Sequence, residues 1–386
     1  FRDYRNLKRA ELYYRKAIEI NPKLAKAYFM LSTLDESTRE KEWEHYLFTE
    51  NILKNQNEID CIDIYFARAN ILERKSNYTQ SANMFTKANK LNRQVYGSNY
   101  IALTKKMKNY FKIWQIIKSN TGQGDNSLTT IFIVGLPRSG KTITESILAS
   151  NKSLLKCGED NALSIAIKKY FSHKRIPNNL NLYDLFIEST SEEISSESFI
   201  CNTRPGNYIY TGLIASHIKN SKIIYCHRNP LDNIKEIYCS NLANKFTFKT
   251  SITESAKILL SINNLMKKYK NIFNSKIYFL NYDQLVLNKE NERGDMFKKA
   301  VVGNNGSVDD FRASADLLAT TKPNRRPTSG RARIQKMMEL QHTCAVWKSE
   351  YCDSKQFMHN MQNDRLKSLS HCKNLINQTK RNNKLD

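Results

Sequence analysis

The sequence predicts an α/β domain, a parallel sheet flanked by helices, with an all-α helical array in front of it. Three observations carry this. The first third shows small and aromatic side chains at helical spacing. The apolar run Thr130-Ile-Phe-Ile-Val134 is followed at once by a glycine loop and a helical stretch, Thr142 to Ser150. Two further buried-strand candidates, Lys222-Ile-Ile-Tyr-Cys226 and Lys276-Ile-Tyr-Phe-Leu280, alternate with helical segments, which argues for parallel strands.

In the helical part, Ala10, Tyr14 and Ala17 lie on one face of a helix that stops at Pro22. Ser81, Phe85 and Ala88 repeat the spacing, 71 residues further on, close to two repeats of about 34. Tyr28-Leu31-Ser32 and Tyr65-Arg68-Ala69 match one another, and the middle repeat, Trp43 to Leu53, is poorly marked. Small residues at such positions let paired helix backbones cross closely. The pattern, over about residues 1 to 95, resembles the tetratricopeptide repeat; an unrelated amphipathic bundle is the alternative. Either offers a binding or packing surface rather than chemistry. Leu103 to Lys118 is a further amphipathic helix, and the polar, glycine-bearing stretch 119–128 reads as a linker.

Composition sets limits. The chain has 386 residues and a formal charge of +24, a field that draws polyanions or small multiply charged ligands, or one that reflects only a Lys- and Asn-rich solvated surface. No zinc-finger spacing or paired aromatic RNA motif supports a nucleic-acid partner. No apolar run approaches the roughly 20 residues of a membrane helix. The eight cysteines form no CxxC pair, which fits a reducing, cytoplasmic setting. Cys344, Cys352, His359, His371 and Cys372 match no metal-site spacing, so no metal is expected. The chain starts at Phe1, not methionine, and is expected to be a fragment or processed chain.

The chemistry concentrates at Gly135-Leu-Pro-Arg-Ser-Gly-Lys-Thr142, which satisfies GxxxxGK[ST] between a strand and a helix, and so predicts a P-loop-type sheet. Its glycines let backbone amides curl round an anion, and the helix N-terminus adds about half a positive charge. A nucleotide triphosphatase or kinase would need magnesium and a second strand ending in an acidic residue. Here the second strand runs into His227-Arg228-Asn229-Pro230, a cationic end that suits a ligand with an additional phosphate.

Pro137-Arg-Ser-Gly-Lys-Thr142, with Glu145 and Leu148, resembles the 5′-phosphosulfate loop of sulfotransferases. Arg228-Asn-Pro-Leu-Asp-Asn233 resembles their 3′-phosphate segment, and Cys157-Gly-Glu-Asp160, Asn202-Thr-Arg-Pro-Gly-Asn207 and Asn281-Tyr-Asp-Gln-Leu285 follow the family's order. The subgroup resembled is the bacterial sulfotransferases with tetratricopeptide repeats, related to protein-tyrosine sulfotransferases. The resemblance implies a sulfotransferase-like α/β fold and 3′-phosphoadenosine 5′-phosphosulfate as donor, leaving 3′,5′-bisphosphoadenosine. It implies that Gly135, Arg138, Ser139, Gly140, Lys141 and Thr142 hold the 5′-phosphosulfate and that Arg228 pairs with the 3′-phosphate. Tyr282 is implied to contact the donor, and Glu159 to act as base on the acceptor hydroxyl. Arg204, where relatives carry lysine, is implied to neutralise the bridging oxygen, and Arg138 is counted with Glu159 and Arg204 among the catalytic residues.

There are departures. Lys141 replaces the usual threonine. Glu236 stands where relatives often have a 3′-phosphate serine, so either Ser240 or Asn233 substitutes or the local register differs. Beyond about Glu292 the family pattern stops, leaving Trp347-Lys348 and the basic run Lys322 to Arg333. The expected organisation is helical repeats over 1–118, a linker over 119–128, the α/β domain over 129–292, and a divergent segment over 293–386, partly disordered or read from a shifted frame. The expected activity is sulfuryl transfer to a hydroxyl acceptor, a peptide tyrosine or a carbohydrate, with a protein or peptide partner bound by the repeats and a homodimer also open. A P-loop kinase or triphosphatase and a non-catalytic helical scaffold are the other readings.

Overall fold

The computed structural model describes residues 7–34, 41–117, 128–149, 153–172, 180–192, 194 and 199–287. Most of the linker, the segment 293–386 and the Cys344–Cys372 group lie outside the described residues. The described residues fall in one compact unit.

The helical array runs through α1 (Leu7–Ile20), α2 (Ala25–Leu34), α3 (Glu42–Leu47), α4 (Glu58–Arg74), α5 (Tyr78–Tyr96) and α6 (Tyr100–Ile116). Asparagine starts two of these helices: Asn57 Oδ1 accepts from Asp60 N at 2.9 Å, and Asn77 Oδ1 from Gln80 N. The small residues serve as the spacing predicts. Ser81 is buried where α5 crosses α4 and donates to the Ala69 carbonyl at 2.9 Å, while Phe66 and Phe85 meet edge to face. The middle repeat is poorly marked because its first helix, α3, has only six residues before a 3-10 turn, Glu50–Leu53. Buried Arg68 holds that turn, donating to the Leu47 and Thr49 carbonyls at 2.8 Å each.

The α/β part follows as β1 (Thr129–Val134), α7 (Lys141–Leu148), β2 (Leu154–Lys156), α8 (Ala162–Tyr170), α9 (Leu182–Glu188), β3 (Phe199–Asn202), α10 (Thr211–His217), β4 (Ser221–His227), α11 (Pro230–Tyr238), α12 (Ile252–Ile272), β5 (Ile277–Asn281) and α13 (Tyr282–Leu287). The strands form one five-stranded sheet in the order β2-β3-β1-β4-β5, and every pair is parallel. The expected P-loop-type α/β sheet behind a helical array is thus observed. Strands β2 and β3 were not singled out by the sequence reading; at three and four residues they are too short to show a period.

Alternate residues of the central strands enter two cores. Phe132, Val134, Ile223 and Tyr225 face α8, α9, α10 and α12, whereas Ile131, Ile133, Ile224 and Cys226 face Ile147 and Leu148 of α7 and Leu285 of α13. Burial on both faces makes these strands read as continuous apolar runs. Helix α6 packs into the first core: Trp114 lies against Tyr269 and Phe273, and a Cβ at Gly212 would come within 2.6 Å of its Cγ. The array is joined to the sheet part by polar contacts as well. Lys235 pairs with Glu73 at 3.1 Å, Asn89 Nδ2 donates to the Tyr238 carbonyl, and Arg93 Nη2 meets Glu254 Oε1 at 2.7 Å. No helix among the described residues is long and apolar enough to cross a membrane.

Candidate functional site

Parallel register brings the C-terminal ends of β1, β4 and β5 side by side: Val134 pairs with Tyr225, and His227 with Asn281. The loop after β1, Arg228 after β4 and Tyr282 after β5 therefore meet at one sheet edge, where open α/β sheets bind ligands.

The loop is shaped by three positive φ angles, Gly135 at 146°, Arg138 at 64° and Gly140 at 99°. Such turns bring successive backbone N–H groups to a common concave side. A side chain is excluded at both glycines. A Cβ at Gly135 would lie 2.5 Å from the Cys226 carbonyl oxygen, and one at Gly140 would lie 2.2 Å from Tyr282 Cδ2. Ser139 Oγ and Lys141 Nζ both donate to the Leu136 carbonyl, at 2.8 and 2.9 Å, so each braces the loop from within. Burial pushes the Lys141 ammonium down to about 8; Glu159 acts against this, and Arg138 and Lys245 act with it. Thr142 is exposed in the first turn of α7.

Arg228 stands against this loop. Its Nη1 donates to the Arg138 carbonyl at 3.4 Å, and its Cζ lies 5.1 Å over the Tyr282 ring. Burial pushes the Tyr282 hydroxyl up. Arg228 Nε is buried with no hydrogen-bond partner among the described residues; Asp283 Oδ1 lies 3.9 Å from it. Asn229 starts α11, accepting from Leu231 N at 3.0 Å, while its own N–H donates to Asp283 Oδ2 at 2.6 Å. Asn233 Nδ2 donates to the Pro137 carbonyl at 2.9 Å, and Ser240 Oγ accepts from Arg138 Nε at 3.0 Å. Both residues are thus at the loop, Asn233 as a brace and Ser240 as a partner of Arg138. Glu236 acts electrostatically on Tyr282, which keeps a carboxylate close to the place expected for a phosphate.

Glu159 and Arg204 occupy the loops after β2 and β3. The two loops are tied together: Thr203 N donates to the Gly158 carbonyl at 2.7 Å, and Asn202 Nδ2 to the Asp160 carbonyl at 3.1 Å. Glu159 is exposed, within electrostatic reach of Lys141, and its Oε2 lies 3.7 Å from Lys245 Nζ. Arg204 is held by its backbone N–H on Asn202 Oδ1, and its charge acts on Tyr210.

Lys245 was not found from the sequence, where it is one lysine among many with no spacing to mark it. Its segment is a 3-10 stretch, Asn244–Thr250, fixed by Asn99 of the helical array: Asn99 Nδ2 donates to the Lys245 carbonyl at 2.7 Å, and its Oδ1 accepts from Phe248 N at 3.0 Å.

Residues 130–299 match the sulfotransferase family model, and residues 5–24 match a tetratricopeptide repeat. An uncharacterized protein of Aquifex aeolicus (strain VF5) is 24% identical over 242 residues, 57% of this chain and 32% of that protein, so the chain spans about a third of that relative's length. The sulfotransferase domain from the Synechococcus PCC 7002 olefin synthase aligns with 57% of this chain and 97% of its own, at 12% identity and a TM-score of 0.32. The motif order and the parallel sheet with its glycine loop agree with the family-model match: residues 130–299 form a sulfotransferase-family domain, with a tetratricopeptide-repeat match ahead of it.

Proposed function

We propose that the chain transfers a sulfuryl group from 3′-phosphoadenosine 5′-phosphosulfate to a hydroxyl acceptor, a peptide tyrosine or a carbohydrate. The observation that carries this reading is Arg228, a cation after the end of β4 that reaches the loop after β1 and keeps a buried Nε with no hydrogen-bond partner among the described residues, 3.9 Å from Asp283 Oδ1. That donor, free of a hydrogen bond among the described residues, and the curled backbone at Gly135–Gly140 fit a ligand with anionic groups at both ends. The donor supplies the activated sulfuryl group.

The roles of the chain's own groups follow. The loop and the head of α7 hold the 5′ end, with Ser139 and Lys141 keeping the turn in shape. Arg228, with its Cζ 5.1 Å over the Tyr282 ring, presents its guanidinium to the 3′-phosphate, as a fork that suits two oxygens. Glu159 takes the proton from the acceptor hydroxyl at its carboxylate. Arg138 and Arg204 offset charge that develops on the bridging oxygen, as fixed cations rather than proton donors. The helical array supports the site from behind through the Asn99 clamp and the Glu73–Lys235 pair, and a peptide acceptor would meet its free face.

The test is transfer of labelled sulfate from the donor to a panel of tyrosine peptides, glycans and small alcohols, with Glu159→Gln in parallel. Expected is one acceptor class labelled by the wild type and a loss of about 10²- to 10⁴-fold in the variant. A variant as fast as the wild type would remove Glu159 from the chemistry.

A further inference from the structure

Glu145 is a buried carboxylate on α7, one turn beyond the glycine loop, and none of the proposed chemistry uses it. Its Oε1 accepts from Thr203 Oγ1 at 3.4 Å, its Oε2 lies 3.5 Å from Lys156 Nζ, and the Gly158 N–H hydrogen-bonds to it. Gly158 immediately precedes Glu159, and Thr203 immediately precedes Arg204. One side chain, rigidly attached to the helix that heads the donor loop, therefore touches the root of each of the two loops that bear the candidate base and cation.

We propose that Glu145 is a positioning residue that holds the Glu159 and Arg204 loops in register with the glycine loop. Its effect on catalysis rests on the sulfuryl-transfer reading; its effect on the two loops does not. Burial pushes the Glu145 carboxyl up, with Lys156, Thr203 and Gly158 offsetting part of this. A group retained for packing alone would be replaced by its neutral isostere without loss. A group retained for register would lose turnover on that replacement while the fold stays as firm.

The experiment compares wild type, Glu145→Gln and Glu145→Ala by amide hydrogen exchange, thermal unfolding, 3′,5′-bisphosphoadenosine affinity and steady-state kinetics. Expected in Glu145→Gln is faster exchange over 157–160 and 202–206 with 135–142 unchanged. Its midpoint should not fall, and its bisphosphate affinity should stay within about twofold. Its kcat should fall by about tenfold to 10²-fold, the size of loss that a small misplacement of reacting groups brings. Glu145→Ala should show the same pattern more strongly. Unchanged exchange in both loops of both variants overturns the proposal, whatever the kinetics. Faster exchange in a protein whose wild type transfers no sulfuryl group leaves the register claim standing and removes the sulfotransferase reading alone.

Discussion

Replacing Lys141 with methionine removes a buried ammonium and keeps most of its stem. The ammonium lies at about 8 instead of the ordinary 10.5, chiefly through burial, and the residue is only 6% exposed, so water screens little of the cost. The difference corresponds to about 3 kcal/mol of stability. Below pH 8 the group is protonated in the folded and the unfolded chain alike, and the full cost opposes folding. Between 8 and 10.5 the unfolded chain holds the proton and the folded chain releases it, so stability rises with pH. Wild type should therefore gain about 2 kcal/mol more than Lys141→Met between pH of about 7.5 and 9.5, because the other titrating groups are common to both proteins. Urea unfolding followed by tryptophan fluorescence at several pH values measures this. Parallel stability profiles, within about 0.5 kcal/mol, would refute the claim that a charged lysine is enclosed beneath the loop.

Three other substitutions probe the frame of the site. Gly140→Ala would put a methyl against the Tyr282 ring at a φ of 99°, costing about 1–3 kcal/mol and displacing the ring from Arg228; thermal unfolding and bisphosphate binding should both weaken. Asp63→Ala removes the acceptor of Asn241 Nδ2 (2.6 Å) and a carboxylate that supports the buried Lys249 ammonium, so stability should fall by about 1–3 kcal/mol in urea unfolding. Asn99→Ala frees the 3-10 stretch Asn244–Thr250, and amide exchange there should quicken while the sheet strands keep their protection; equal protection would show that the clamp is idle.

What was legible in the sequence was local. The strand, the glycine loop and the helix lie within about twenty consecutive residues, and the positive φ at positions 135 and 140 is a local need that glycine meets. Arg228 was legible because it directly follows an apolar run, and in parallel sheets the ligand edge is where such runs end. Ser81 was legible because helices crossing closely need a small residue there. What escaped depends on distant pairings. Lys245 faces Glu159 across 86 positions of sequence, and Asn99 reaches the 244–250 stretch across nearly 150. Asp63 on α4 finds Asn241 only because the array is folded onto the sheet part. Glu145 stood in the motif, but its contacts with Gly158 and Thr203 arise from the sheet order, which places β3 beside β1 and β2 beside β3. Strand β2 escaped because a three-residue edge strand leaves no period to read.

The most direct test of the two-ended anion pocket is calorimetric titration, in the presence of EDTA, of wild type and Arg228→Ala with 3′,5′-bisphosphoadenosine and with adenosine 5′-monophosphate. The structure leads to bisphosphate binding at least about tenfold tighter than monophosphate in the wild type, the worth of one charge-assisted pair, and to loss of that preference in the variant. Equal affinity for the two nucleotides, or a preference that survives without Arg228, would contradict it.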